Sequence, residues 1–353
     1  MNFASDNTAM VAPQIMAALA QANDGFVLGY GNDPWTKRAE KRFAEVFNRE
    51  VAVFLVPTGT ACNALALAHL TPPWGAVLCH TESHIATDEC GAPEFFGSGI
   101  KLVGIAGEAG KVTPAALKEI LDKPQWGAPH QVAPSVLSLS QATEAGTIYR
   151  PHQLRELADI AHARGLAVHI DGARLGNALA RMNVAPDEAT WKSGVDVLSF
   201  GATKGGAMAA EAIVFFDPAR GADMAARRKR GGHLLSKHRF IAAQMDAYLA
   251  DDLWLKLARH ANAMADRLGD GLAAAGSAPV WPVEANEVFA ILPRAVCERL
   301  KTAGASFYER ISESLPKETT VGPDAVLVRL VTSFATTASE VDQFVAAVRD
   351  DRL

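Results

Sequence analysis

Short apolar runs, separated by segments of helical period, limit this chain to very few architectures. Seven of them fall in the first two thirds of its 353 residues: Val51–Val56, Ala76–Cys79, Ile100–Ile105, Ser135–Ser140, Leu166–Ile170, Val195–Phe200 and Ala212–Phe216. They are rich in Val, Ile, Leu and Phe, and several are apolar on both alternating faces. A strand of that kind belongs inside a mostly parallel sheet covered by helices. Helical spacing lies between them, in Pro34–Asn48, Ala61–Leu70, Pro114–Leu121 and Arg150–Arg164. Thr113 is placed to cap a helix with proline in its first turn, and Gly165 to end one. The alternation predicts a doubly wound α/β domain, with ligands bound where strands end and helices begin.

After about residue 233 the pattern changes. Leu234–Gly276 reads as one or two long helices, followed by strand candidates Val288–Leu292 and Ala325–Val331 and a helix near Ser339–Arg349. This is a smaller α+β unit. At roughly 150 residues per domain the length fits two. The expected division is 1–250, a large domain with an N-terminal arm, and 251–353, a small C-terminal domain. There is no repeat and no low-complexity linker. With 49% hydrophobic and 21% charged residues the chain can bury a large core, which excludes disorder. A net charge of −5 argues against general nucleic-acid binding, which needs a basic face. No window approaches the ~20 apolar residues of a membrane span. The N-terminus lacks a signal-peptide pattern. The four cysteines form no CxxC, so free thiols in a cytoplasmic protein are expected.

Three strand ends carry chemistry. Pro57-Thr58-Gly59-Thr60-Ala61 opens a helix after the first strand. Its hydroxyls and free N–H groups suit a phosphate, although many strand-to-helix turns look alike. Asp171 ends the fifth strand, and a buried carboxylate needs donors or a cation. It could instead cap the helix near Arg174. Lys204 follows the sixth strand in Gly201-Ala202-Thr203-Lys204-Gly205-Gly206. Small residues around it leave room for a bulky ligand, and a desolvated lysine can form a Schiff base. Asp171 and Lys204 stand at the ends of adjacent strands. Pyridoxal phosphate needs this pair: a lysine for the aldehyde and an acid that keeps the ring nitrogen protonated.

Other clusters have plainer readings. Cys79-His80-Thr81-Glu82-Ser83-His84, with Asp88, Glu89 and Cys90 beyond, has ligand types that suit zinc. It begins at a strand end, however, so the helix that would align His80 with His84 is not assured. No metal site is assigned, and His80 is expected to be a hydrogen-bonded loop residue. Arg227-Arg228-Lys229-Arg230 is too short for a nucleic-acid patch and reads as a solvated helix face. His169 reads as a buried strand residue.

These motifs resemble the low-specificity L-threonine aldolases, fold type I pyridoxal-phosphate enzymes of the aspartate-aminotransferase superfamily. The matching stretches run in family order along essentially the whole chain. They are Ser5-Asp6-Asn7-Thr8, Tyr30-Gly31-Asn32-Asp33-Pro34, Thr58 to Asn63, His84-Ile85, Ser140 to Gly146, His169 to Leu175, Gly201 to Lys204 and Arg329 to Ser333. The resemblance implies a seven-stranded large domain and retro-aldol cleavage of L-threonine, L-allo-threonine and related L-β-hydroxy-α-amino acids to glycine and an aldehyde. It implies that Lys204 holds the cofactor, Asp171 pairs with its ring nitrogen, and Thr58, Gly59 and Thr60 bind its phosphate. His84 would stack on the ring and transfer the β-hydroxyl proton. Arg329 would clamp the substrate carboxylate with help from Ser5, and Arg174 would stand near the cofactor or the carboxylate. Tyr30 would reach a neighbouring active site, and Lys237 a phosphate. A homodimer or homotetramer with sites between subunits follows. Glu144 and Asp88 depart from the family's usual histidine and aromatic residue, which leaves aldehyde preference and the general base open. A phenylserine-type aldolase, a β-eliminating lyase or an aminotransferase on the same fold are the alternatives. A non-catalytic cofactor-binding protein is disfavoured because Lys204 and Asp171 are both present. A dinucleotide dehydrogenase is disfavoured because no G-x-G-x-x-G follows the first strand.

Overall fold

A computed structural model describes residues 1–127 and 129–349. All seven apolar runs become strands of one sheet: β1 Ala52–Val56, β2 Gly75–His80, β3 Lys101–Ile105, β4 Ala133–Ser140, β5 Ala167–Gly172, β6 Val197–Gly201 and β7 Glu211–Phe215. Their order is β1-β7-β6-β5-β4-β2-β3. Every pairing is parallel except those of β7, which runs antiparallel to both β1 and β6. Chain length explains the exception. Only residues 202–210 connect β6 to β7, and a parallel crossover needs about a dozen residues or more. The start of β7 therefore lies on the same sheet edge as the ends of β1, β2, β4, β5 and β6.

Thr113 caps its helix as expected, its hydroxyl accepting from Ala116 N–H at 3.2 Å. Gly165 follows its helix at φ +76°. The predicted Leu234–Gly276 region forms two helices, Arg239–Leu249 and Leu253–Ala274. They separate where Asp251 and Asp252 take left-handed φ of +52° and +55°, which aspartate tolerates better than most residues. The helix Pro13–Ala22 carries a mixed pattern that does not announce itself in the sequence.

A second, antiparallel sheet has the order β8-β10-β9, from Glu287–Pro293, Ala325–Val331 and Tyr308–Arg310. The three-residue β9 has no apolar run to announce it and exists because β10 offers a free edge. Two cores result. Helix Leu253–Ala274 joins them, with Trp254 in the first and Ala265, Leu268 and Leu272 in the second. The N-terminal arm seats Phe3 in the second core, edge-on to Phe344 at 5.1 Å. Phe3 N–H donates to Ser306 O at 2.8 Å, and its carbonyl accepts from Val331 N–H at 2.8 Å. This anchor places Ser5, Asp6 and Asn7 between the two sheets. All four cysteines are free, with Cys90 exposed. Among the described residues no helix is long and apolar enough to cross a membrane.

Candidate active site

A cavity of about 390 Å³ lies along the sheet edge where the parallel strands end, within the size range of ligand pockets. Thr58, Gly59, Thr60, His84, Asp171, Arg174 and Lys204 all line it. A second cavity of about 340 Å³ shares His84, Glu144, Arg174 and Lys204 and extends to Ser5, Asp88, Tyr308 and Arg329. The second sheet thus supplies the far wall. Tyr30 and Lys237 line neither cavity.

At one end the helix Gly59–Leu70 points its N-terminus into the space. Thr58 is its N-cap: its hydroxyl accepts from Ala61 N–H at 3.2 Å, and its carbonyl accepts from Cys62 N–H at 3.1 Å. The helix leaves the N–H groups of Gly59 and Thr60 unused. A Cβ built on Gly59 would meet nothing within 4 Å, so this cradle is open.

Lys204 sits half-buried in the turn after β6, without an ion pair among the described residues. Its glycine neighbours serve a different purpose from the one the sequence implied. A Cβ at Gly205 would lie 1.9 Å from Tyr248 Oη, and Gly206 has φ +126°. The space beside them belongs to packed side chains, and what they fix is the path of the turn.

Asp171 ends β5, paired in parallel register with Ser199 of β6. It does not cap the following helix, which begins at Leu175. Its Oδ1 accepts from Ala173 N–H at 3.0 Å, and its Oδ2 accepts from Asn63 Nδ2 at 2.8 Å. Burial alone would raise its pKa. His84, Lys204 and these two donors hold it below the usual aspartate range instead. Asn63 Nδ2 also donates to Glu89 Oε1 at 2.8 Å, and the same oxygen lies 2.8 Å from His84 Nδ1. The Glu89 contact lifts the His84 pKa against its burial, and burial lifts that of Glu89. A short hydrogen bond therefore couples the His84 ring to the Glu89 carboxyl. His84, Glu89 and Asp171 have the ligand types of a metal site, but here amide and imidazole protons tie the carboxylates together. His169 lies two residues back on β5, between Ser138 Oγ and Ser199 Oγ at 2.9 Å each. Burial pushes it down to about 4, so it stays neutral.

Arg174 is buried. Its Nε and Nη2 donate to Asp6 at 2.8 and 3.1 Å, and Nη1 lies 3.3 Å from Glu287. Burial would raise Asp6, but Arg174 and Lys204 bring it below its ordinary value. Arg329, on β10, has an unpartnered Nε, and Nη2 donates to Ala4 O at 3.3 Å. The Tyr308 ring covers its guanidinium at 5.5 Å. Ser5 accepts from Asn7 N–H at 3.1 Å at the same mouth.

His80 ends β2, its ring within 3.0 Å of Gly107 O and accepting from Glu82 N–H. The helix begins only at His84, so the two histidines share no helical face. Arg227, Lys229 and Arg230 are exposed, but Arg228 departs from a solvated face: it donates to Leu55 O at 3.1 Å and packs on Phe54. Lys237 is exposed. Tyr30 is exposed beneath Lys229, 4.5 Å from its ring, in a loop that also exposes Phe26 and Leu28. Asp6, Asn63, Glu89 and Glu287 received no role from sequence, since only the fold brings them together. Glu211 was missed although it opens a fully buried strand, the same signal that drew attention to Asp171.

The residues present fit pyridoxal phosphate. A lysine without an ion pair among the described residues shares one cavity with a buried carboxylate held below its ordinary pKa, with an open helix N-terminus at its end. The beta-eliminating lyase family model matches residues 2–295. The chain is 45% identical over 312 residues to a low specificity L-threonine aldolase of Pseudomonas aeruginosa, covering 88% of this chain and 90% of that one. A Pseudomonas sp. protein of the same name is 42% identical, with 87% and 88% covered. A solved threonine aldolase of Leishmania major superposes with a TM-score of 0.90 at 29% identity, over 99% of this chain and 98% of that one.

Proposed function

Because this chain belongs to the beta-eliminating lyase family, among the low-specificity L-threonine aldolases, we propose that its cavity cleaves L-β-hydroxy-α-amino acids to glycine and an aldehyde. The observation that carries this is the placement of Lys204 and Asp171 at the ends of neighbouring strands, facing one cavity closed by the Gly59 helix N-terminus. Pyridoxal phosphate is the cofactor; when bound it supplies an electron sink for the bond broken at the α-carbon.

The chain's own residues do the rest. Lys204 offers the amine that holds the cofactor. Asp171 keeps the proton on the ring nitrogen, a task suited to a carboxylate that stays ionised. The N–H groups of Gly59 and Thr60, with the hydroxyls of Thr58 and Thr60, receive the phosphate. Arg329 receives the substrate carboxylate with Ser5, which decides the bond held for cleavage. Arg174, anchored by Asp6 and Glu287, shapes the wall between cofactor and carboxylate. His84 accepts the β-hydroxyl proton, tuned by Glu89. Asp88 and Glu144 border the space for the β-substituent at the second cavity.

The exposed Phe26, Leu28 and Tyr30 support an assembly of two or four copies, with Tyr30 and Lys237 serving a neighbouring site. Four free cysteines fit a cytoplasmic location.

The test is product release by the purified chain with added cofactor. Equimolar acetaldehyde and glycine from L-threonine, and none from D-threonine, is the expected result. No aldehyde from L-threonine, L-allo-threonine or L-phenylserine would overturn the reading and turn attention to elimination and transamination.

A further inference from the structure

Glu211 is a buried carboxylate that the mechanism above does not use. It opens β7 and pairs in register with Val56 of β1 on one side and Gly201 of β6 on the other. These two positions lead directly into the Thr58-Gly59-Thr60 turn and the Thr203-Lys204 turn. Strands lie about 4.8 Å apart, so Glu211 stands two strands from Asp171 and one from the phosphate cradle. Its side chain lines the cavity and is buried. Its Oε1 accepts a long hydrogen bond from Thr203 N–H at 3.4 Å. No cation lies within ion-pairing distance of it among the described residues.

We propose that Glu211 is a further cofactor-binding residue, which as a neutral carboxylic acid donates its O–H to the cofactor phosphate. The proposal rests on the pyridoxal phosphate reading above. An ionised carboxylate at this position would repel a phosphate dianion, whereas the acid form completes the cradle with one more donor. Among the described residues, these groups bear on its charge. Thr203 and Lys204 favour the ionised form. Asp171 on β5 opposes it. Tyr248, from helix Arg239–Leu249, and Cys62, from helix Gly59–Leu70, are both held neutral by burial. Burial dominates and pushes Glu211 up to about 7, and a phosphate beside it acts in the same direction.

The experiment measures binding of pyridoxine 5′-phosphate to the full chain freed of cofactor, from pH 6 to 9. This probe has the ring and phosphate but no aldehyde for Lys204, so amine chemistry does not enter. Wild type and Glu211→Gln should bind equally at pH 6. Above pH 7 the wild type should weaken relative to Glu211→Gln by up to about tenfold per pH unit, the slope of one proton. A wild-type-to-variant ratio constant with pH, or tighter binding by the variant at pH 6, overturns the proposal. If wild type binds the probe at no pH, the cofactor reading itself fails. If the glutamine variant does not fold, the wild-type holoenzyme still decides. The phosphorus-31 resonance of its bound cofactor should titrate once between pH 7 and 10, and a flat resonance overturns the proposal.

Discussion

Replacing Asp6 with asparagine removes one charge and almost no volume, from a point where three segments meet. Asp6 Oδ2 accepts from Arg174 Nε at 2.8 Å and Asn286 Nδ2 at 3.1 Å, while Oδ1 accepts from Arg174 Nη2 at 3.1 Å. These bonds join the N-terminal arm, the turn after β5 and the approach to β8. An amide must place its NH₂ against one of these donors. Breaking a buried ion pair from one side costs about 3–5 kcal/mol. Glu287 stays 3.3 Å from the same guanidinium, so Asp6→Asn belongs at the lower end, about 3 kcal/mol. With an unfolding entropy of ~2.1 cal/mol/K per residue over the chain, this lowers the thermal midpoint by about 4 °C. The assay is thermal unfolding followed by circular dichroism with saturating cofactor, for wild type and variant, across pH. The sign follows from the Asp6 carboxyl, whose folded pKa is held below the ordinary 3.8. Its contribution is complete above that value and is lost as pH falls through the folded one. The gap between wild type and Asp6→Asn should be full at pH 7 and close only as pH falls below 3.8 and through the folded value. A gap under about 1 °C at pH 7, or one that persists unchanged in acid, refutes this account of the Asp6–Arg174 pair.

Further outcomes follow from the same geometry. Arg329→Ala should raise the KM for L-threonine about 10- to 100-fold, the range for a hydrogen bond to a charged group. Cofactor affinity should change far less, and an unchanged KM removes the clamp. Glu89→Gln takes away the contact that lifts His84, so the acidic limb of the pH–rate profile should move to lower pH; a profile that stays in place separates His84 from the limb. Gly205→Ala drives a methyl onto Tyr248 and should cost about 3 kcal/mol in chemical denaturation. Adding Tyr248→Phe, which deletes the Oη in closest contact, should recover part of that loss, and no recovery assigns the cost elsewhere.

Much of this protein was legible from residue order. The seven apolar runs marked the seven strands of the large sheet, because a short run of β-branched and apolar residues between helical segments reads as a strand whether one face or both are buried. Thr113 and Gly165 marked helix ends through backbone chemistry that acts within a few residues. Asp171 and Lys204 stood out because a charge at the end of a buried strand needs a reason, and Glu211 carried the same signal unheeded. Other features depend on encounters between distant segments. Asp6 meets Arg174 across 168 residues and Glu287 joins them from another sheet. Asn63 holds Glu89 and Asp171 with one amide. Nothing local distinguishes these polar residues from surface ones; their desolvation and partners exist only after the chain has folded. The glycine after Lys204 makes the same point, since Tyr248, 43 positions later, is what forbids a side chain there. Sequence alone determined the elements and the chemistry-bearing strand ends, since hydrophobic period and capping are short-range. Tertiary structure alone decided which charges face one another, since burial and Coulomb interaction depend on distance through space rather than along the chain.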